Sequence, residues 1–271
     1  MSTNQPINQV TSQLINNSTN QLVNYTLHLA DTTLILSQRN SEWCGHGPAL
    51  EQDIAISNIS LDLLGQSRNF YQYAAKLSGD NVTEDSLAYH RNERDFKNLL
   101  ITELPNGDWA QTTLRQFFIS AFYNFLFDEM QSSADVQLAA IAEKSLKEVA
   151  YHVKWSAEWV IRLGDGTDES RQRLLAALEE LWPYTGEMFI ATDYEETLIN
   201  SAIIPSLQKI KTSWQAKVAE IFEQAELPNP VETFKKSFMQ TGGKQSVHTE
   251  HLGFILAEMQ YLQRMYPDAE W

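Results

Sequence analysis

Apolar residues recur at three- and four-residue intervals over long segments, and the few glycines and prolines cluster between those segments. This rhythm predicts helices throughout, an all-α chain. The first long helix is expected from about residue 18 to Trp43, with Leu22, Leu29 and Leu36 on one face and Leu27, Ala30 and Leu34 beside them. Residues 1–17 are rich in Asn and Gln and poor in apolar side chains, so they read as a flexible polar extension ahead of a single domain covering 18–271. The turn Gly45-His46-Gly47-Pro48 ends the first helix, and so short a connection predicts an antiparallel neighbour.

The second helix, Ala49 to about Leu77, carries Leu50, Ile54 and Leu61 on one side and Ile56, Ile59 and Leu63 on another. A helix apolar all round is a buried one, which makes its polar members Asp53, Ser57, Asn58 and Asp62 candidates for chemistry. A charged amphipathic helical piece is predicted from Glu84 to about Leu100. A turn at Leu104–Asp108 follows, with Asp108 as N-cap of an aromatic-rich third bundle helix. The fourth runs from about Asp135 to Leu163, its inward stripe passing through Ser145, Glu148, His152 and Ser156. Further helices are predicted at Glu169–Trp182, at Glu195–Glu226 with an interruption at Pro205, and at Ser246–Met265. Two long antiparallel pairs joined by a longer crossover are the connectivity of a ferritin-like four-helix bundle, here with additional C-terminal helices.

Ferritin-like bundles commonly hold two irons with one Glu from each of two helices and Glu-x-x-His from each of the other two, since residues i and i+3 share a face. The candidates are Asp53, Asp62, Glu148 and His152. The spacing of Glu148 and His152 is four, the second helix has no histidine, and the third helix is aromatic up to Asp128. These four positions therefore read as a buried hydrogen-bonded polar network, or as the vestige of a metal site, and no catalytic, cofactor or metal residue is assigned. His248-Thr249-Glu250-His251 reads as a helix start with polar caps, although two histidines three apart can share an ion. Trp43-Cys44-Gly45-His46 sets a thiol near an imidazole with no third group to orient a base. There is no GxGxxG, GxxxxGK[ST] or GxSxG motif.

Charge and composition narrow the classes further. With 35 Asp and Glu against 20 Lys and Arg, the formal charge is −15, a poor surface for nucleic acid or an anionic membrane. No apolar run approaches the ~20 residues of a membrane span, and the start lacks a secretory pattern. With a single cysteine, Cys44, the expectation is a cytoplasmic protein without disulfides.

Four segments together resemble the C-subunit family of bacterial ring-1,2-phenylacetyl-CoA epoxidases, the multicomponent monooxygenases of aerobic phenylacetate breakdown. They are SEWCGHGPALEQDIAISNISLDLLGQSRNFYQYAAKL, LPNGDWAQTTLRQF, KEVAYHVKWSAEWVIRLGDGTDES and HTEHLGFILAEMQYLQR. The likeness runs in order from about Leu27 to Arg264. It implies a ferritin-like structural subunit that binds and supports a catalytic A subunit, the component that holds the di-iron site and the substrate. It further implies a B subunit and a reductase that brings electrons from NADPH through flavin and iron–sulfur groups, with no cofactor in this chain. A ferritin-like oxidase binding iron in its own bundle and a self-assembling storage protein are the alternatives, and in isolation the chain is expected to be able to pair as a homodimer.

Overall fold

A computed structural model describes residues 5–267 and 269, with side chains from residue 18 onward. Helix α1 spans Gln5–Ser41, an earlier start than the pattern predicts. Extending a packed helix costs far less than nucleating one, so a polar segment can be carried on its end. The first four residues of the predicted polar extension, and the side chains of the rest, lie outside the described residues.

Helix α2, Leu50–Ser78, returns antiparallel after a loop in which Gly45 takes φ +82°. Helices α4, Trp109–Met130, and α5, Val136–Gly164, form the second pair, and Asp108 and Asp135 cap them through the amides of Gln111 and Leu138. The two pairs make a ferritin-like four-helix bundle, and every element among the described residues is helical. Every residue of α1 from Tyr25 to Ser37 is buried, as is every residue of α4 from Ala110 to Tyr123. These two helices are the inner pair.

The crossover differs from the helix expected over 84–100. Only α3, Glu84–Tyr89, is α-helical, and short 3₁₀ turns follow at Glu93–Asp95 and Leu100–Thr102. The reason lies in where its amides go: Lys97 N–H donates to Asp31, Leu99 N–H to Thr32 Oγ1 and Leu100 N–H to Glu187. Side chains of other elements satisfy this backbone, so it has no need of its own helical ladder.

Beyond α5 come α6, Asp168–Leu181; α7, Asp193–Asn200; α8, Leu207–Gln224; a single turn α9, Pro230–Thr233; and α10, Glu250–Met265. The predicted 195–226 helix is thus two helices. The break falls at Ile204-Pro205, since the residue before a proline avoids the α region. Trp214 of α8 is buried, donates to Phe118 O at 2.9 Å and packs on the rings of Phe118, Trp182 and Phe189, tying the C-terminal helices to α4.

The expectation that α2 is buried all round is corrected. Ile56, Ile59 and Leu63 are in the core, but Leu50, Ile54, Leu61 and Leu64 are 74, 52, 65 and 41% exposed. α2 is an outer helix, packed on α1, α3 and α5 and open on the side those neighbours leave.

Candidate functional site

Because α2 and α5 run antiparallel, residue pairs with nearly constant number sums face each other along their seam. Tyr73 donates to Asp135 at 2.6 Å, Gln66 Nε2 to Glu148 Oε2 at 2.8 Å, and His152 Nε2 meets Asp62 Oδ2 at 3.0 Å. At the next level Trp155 and Trp159 both donate to Gln52 Oε1, at 3.2 and 2.8 Å. Here Trp109 sits edge-on to Trp43, Trp155 and Trp159, closing that end of the bundle. The seam is a ladder of neutral and anionic rungs.

The four candidate positions do not converge. Glu148, Asp62 and His152 lie on the ladder in two separate rungs, whereas Asp53 accepts from Gly47 N–H at 3.0 Å and holds the α1–α2 loop. Of the four only His152 is buried; the side chain of Asp62 is 38% exposed. Of the expected network, only the His152–Asp62 contact joins two of the four positions, and full burial applies to His152 alone. A di-iron pair needs several carboxylates and imidazoles aimed at one point. Among the described residues no three His, Cys, Asp or Glu side chains are so grouped. The nearby buried atoms without a partner, Gln66 Oε1 and Ser145 Oγ, are neutral oxygens and poor substitutes. The donors present do not fit two irons.

The other sequence candidates resolve differently. Thr249, not a histidine, caps α10 by accepting from His251 N–H. His248 is buried, with Nδ1 at 2.5 Å from Glu103 Oε1 and Nε2 at 2.8 Å from Phe96 O. Both ring nitrogens face acceptors, the arrangement of an imidazolium. Burial pushes its pKa down, but the Glu103 carboxylate and the Phe96 carbonyl outweigh that, and it stands above the ordinary histidine value. Cys44 is exposed, and the His46 ring contacts the Cys44 carbonyl, so this loop assembles no nucleophile.

Sequence reasoning missed the largest polar feature, a set of ionic contacts along α1. Buried Asp31 accepts from Tyr71 at 2.5 Å, from Lys97 N–H at 2.8 Å and from the Arg91 guanidinium, whose charge offsets its desolvation. Glu103 also accepts from Thr249 N–H and Oγ1 and from Asn98. Glu187 takes the amides of Leu100 and Gly242, and Lys244 pairs with Glu195 at 2.9 Å. Burial raises the Glu187 carboxyl above its usual range. Burial, with Lys244 nearby, lowers His28 to about 4, so it stays neutral and donates Nδ1–H to Lys97 O. Together these contacts clamp the crossover onto α1 and hold the Gly242–Val247 loop to Glu187 and to Glu195 of α7. An Asp in the middle of an apolar helix was the available sign.

Two strips of exposed apolar side chains remain. One is Leu50, Ile54, Leu61 and Leu64 on α2; the other is Phe254, Tyr261, Leu262 and Met265 on α10. Beside Leu64 a groove of ≈ 190 Å³ opens between α1, α2 and α3, with Leu34, Tyr71 and Ala88 among its walls. No helix among the described residues is long and apolar enough to cross a membrane.

The family model for "Phenylacetic acid catabolic protein" matches residues 1–271. The chain is also 48% identical over 247 residues to the C subunit of the 1,2-phenylacetyl-CoA epoxidase of Escherichia coli (strain K12), a match covering 91% of this chain and 98% of that one.

Proposed function

Since the chain belongs to the phenylacetic acid catabolic protein family, we propose that it is the structural subunit of a phenylacetyl-CoA epoxidase. In this reading it binds and stabilises the catalytic A subunit, which holds the di-iron centre, alongside a B subunit and a reductase that supplies electrons from NADPH. The complex works in the cytoplasm. The observation that carries the reading is the pair of apolar strips on α2 and α10, which a lone chain leaves in water. Patches of this kind mark surfaces made to be covered by another protein. The chain's own chemistry is then mechanical. Its buried ion pairs hold the crossover and C-terminal loop rigid, so that the partner meets a preorganised face and less ordering entropy opposes association.

The test is co-expression of the A subunit with and without this chain, followed by elemental analysis of each purified species. Iron should track the A subunit, and its soluble, iron-loaded yield should fall when this chain is omitted. Equal yield and activity of A alone would overturn the proposal, as would one or two irons retained by this chain in isolation.

A further inference from the structure

The outward crest of α2 combines an apolar strip, a pocket on one flank and incompletely bonded carboxylates on the other. Leu50 and Ile54, then Leu61 and Leu64, share the outward crest with the polar Ser57 and Asn58 between them, and from Leu50 to Leu64 the crest covers about 21 Å of helix. The groove beside Leu64, ≈ 190 Å³, has Leu34, Tyr71 and Ala88 in its walls together with the Arg68–Glu84 ion pair and Asp85, and is of the size one large side chain fills. Across the crest, among the described residues, Asp62 is bonded only through Oδ2 to His152, and Glu148 only through Oε2 to Gln66.

A partner that spans from Leu61 onto the α2–α5 seam also takes the 38% exposed Asp62 side chain out of water, and Glu148 lies one turn farther along the seam. A desolvated carboxylate needs a cation or strong donors, or it opposes the association that buried it. Among the described residues neither carboxylate has a Lys or Arg within salt-bridge distance; His152 is the only partner of that kind at Asp62. Each carboxylate keeps one oxygen without a donor among the described residues, and a guanidinium brought by the partner, with its fork of donors, suits two such oxygens best.

We infer that the α2–α5 seam is the docking face for the catalytic subunit. The partner lays an amphipathic helix along Leu50, Ile54 and Leu61, sets one large side chain into the groove beside Leu64, and brings an arginine onto Asp62 and Glu148. This rests on the proposed function above. A second copy is the weaker occupant, because each copy carries a net charge of −15 and self-association sets the two against each other. The α10 strip is the weaker face for a basic partner. Its Arg264 is already spent on the carbonyls of Tyr89 and Arg91 and places a positive charge there.

The experiment measures binding of the co-purified A subunit to full-length chains by calorimetry and sedimentation, after circular dichroism has confirmed that each variant is folded. Leu61→Asp should weaken binding about thirtyfold or more, the effect of a charge in a central contact. Asp62→Asn with Glu148→Gln should weaken it about tenfold and flatten its salt dependence. Phe238→Asp, at a 76% exposed position on neither strip, is the control and should bind as the parent chain does, while Phe254→Asp tests the α10 strip. If the parent chain fails to bind A at all, the proposed function falls. If it binds, but Leu61→Asp is neutral while Phe254→Asp abolishes binding, the docking face is wrong and the proposed function stands. If Leu61→Asp only dissolves a dimer of this chain and leaves A binding intact, the occupant is a second copy and the inference is overturned.

Discussion

Replacing Glu103 by Gln should cost stability in a strongly pH-dependent way, because its carboxylate is the counter-charge of a buried histidine. Both side chains have 0% exposure. Glu103 accepts from His248 Nδ1, from Thr249 N–H at 2.8 Å, from Thr249 Oγ1 at 2.6 Å and from Asn98 Nδ2 at 2.9 Å. Glutamine keeps the volume but removes the charge, and it turns one acceptor into a donor facing groups that already donate. Where His248 is an imidazolium, the variant leaves a buried cation unpaired, a loss of about 3–5 kcal/mol. Where His248 is neutral, the loss shrinks toward that of ordinary hydrogen bonds, about 1–2 kcal/mol.

The sign follows from the direction of the shift. The folded-state pKa of His248 is raised, so the stability this pair contributes is fully present below the unfolded value of about 6.5. It is lost as pH rises through the higher folded value. Urea unfolding of parent and Glu103→Gln chains at pH 5.5 and at pH 9 measures the difference. The gap between the two chains should be the larger at pH 5.5, and hydrogen exchange in the first turn of α10 should rise in the variant. Equal gaps at both pH values, or a gap that widens on going to pH 9, would refute the imidazolium assignment. A Glu103→Gln, His248→Gln double-mutant cycle isolates the pair from the Thr249 bonds, and its coupling energy should follow the same pH course.

His28 works in the opposite direction. Its folded pKa of about 4 lies below the unfolded value, so stability should fall as pH drops from about 6.5 to about 4, by at most about 3 kcal/mol, and His28→Asn should lose that slope in acid unfolding curves. Gly164, at the end of α5, lies so close to α8 that an added Cβ would come within 2.6 Å of Ala225 O, a backbone atom. Gly164→Ala should therefore cost about 1–3 kcal/mol, read as a lower urea midpoint with unchanged helix content. His152→Ala removes a buried ring and its bond to Asp62, and should lower stability by about 2–3 kcal/mol while leaving elemental metal content as in the parent chain.

The helical frame was legible because it is written in local terms. Hydrophobic period, the Asp108 cap and the glycine-rich α1–α2 loop each act within a few residues, and each appears in the structure where the pattern put it. Two features were not local. The crossover looked helical from 84 to 100 because its amphipathicity is real, yet the amides of Lys97, Leu99 and Leu100 are taken by Asp31, Thr32 and Glu187, residues up to 87 positions away. Periodicity reports which side of a segment is apolar; it has no access to where the segment's backbone bonds will go. The same limit hid His248, whose partner Glu103 is 145 residues distant.

The candidate site failed to converge for a related reason. Asp53, Asp62, Glu148 and His152 were grouped by lying on helices that face one another, but facing helices share a seam, not a point. On the α2–α5 seam Asp62 and Glu148 fall on successive rungs, and Asp53, nine residues before Asp62, is two and a half turns away and bonded to a loop. What the sequence showed was that α2 is apolar on two sides, and the inference drawn from it was burial within the chain. The structure covers only one of those sides. An apolar face that the described residues leave uncovered, beside carboxylates that no described Lys or Arg reaches, is a surface whose composition makes physical sense once a second chain is present. The most informative misreading of the sequence, a helix too apolar to be exposed, is therefore the same observation that directs the binding experiment to Leu61.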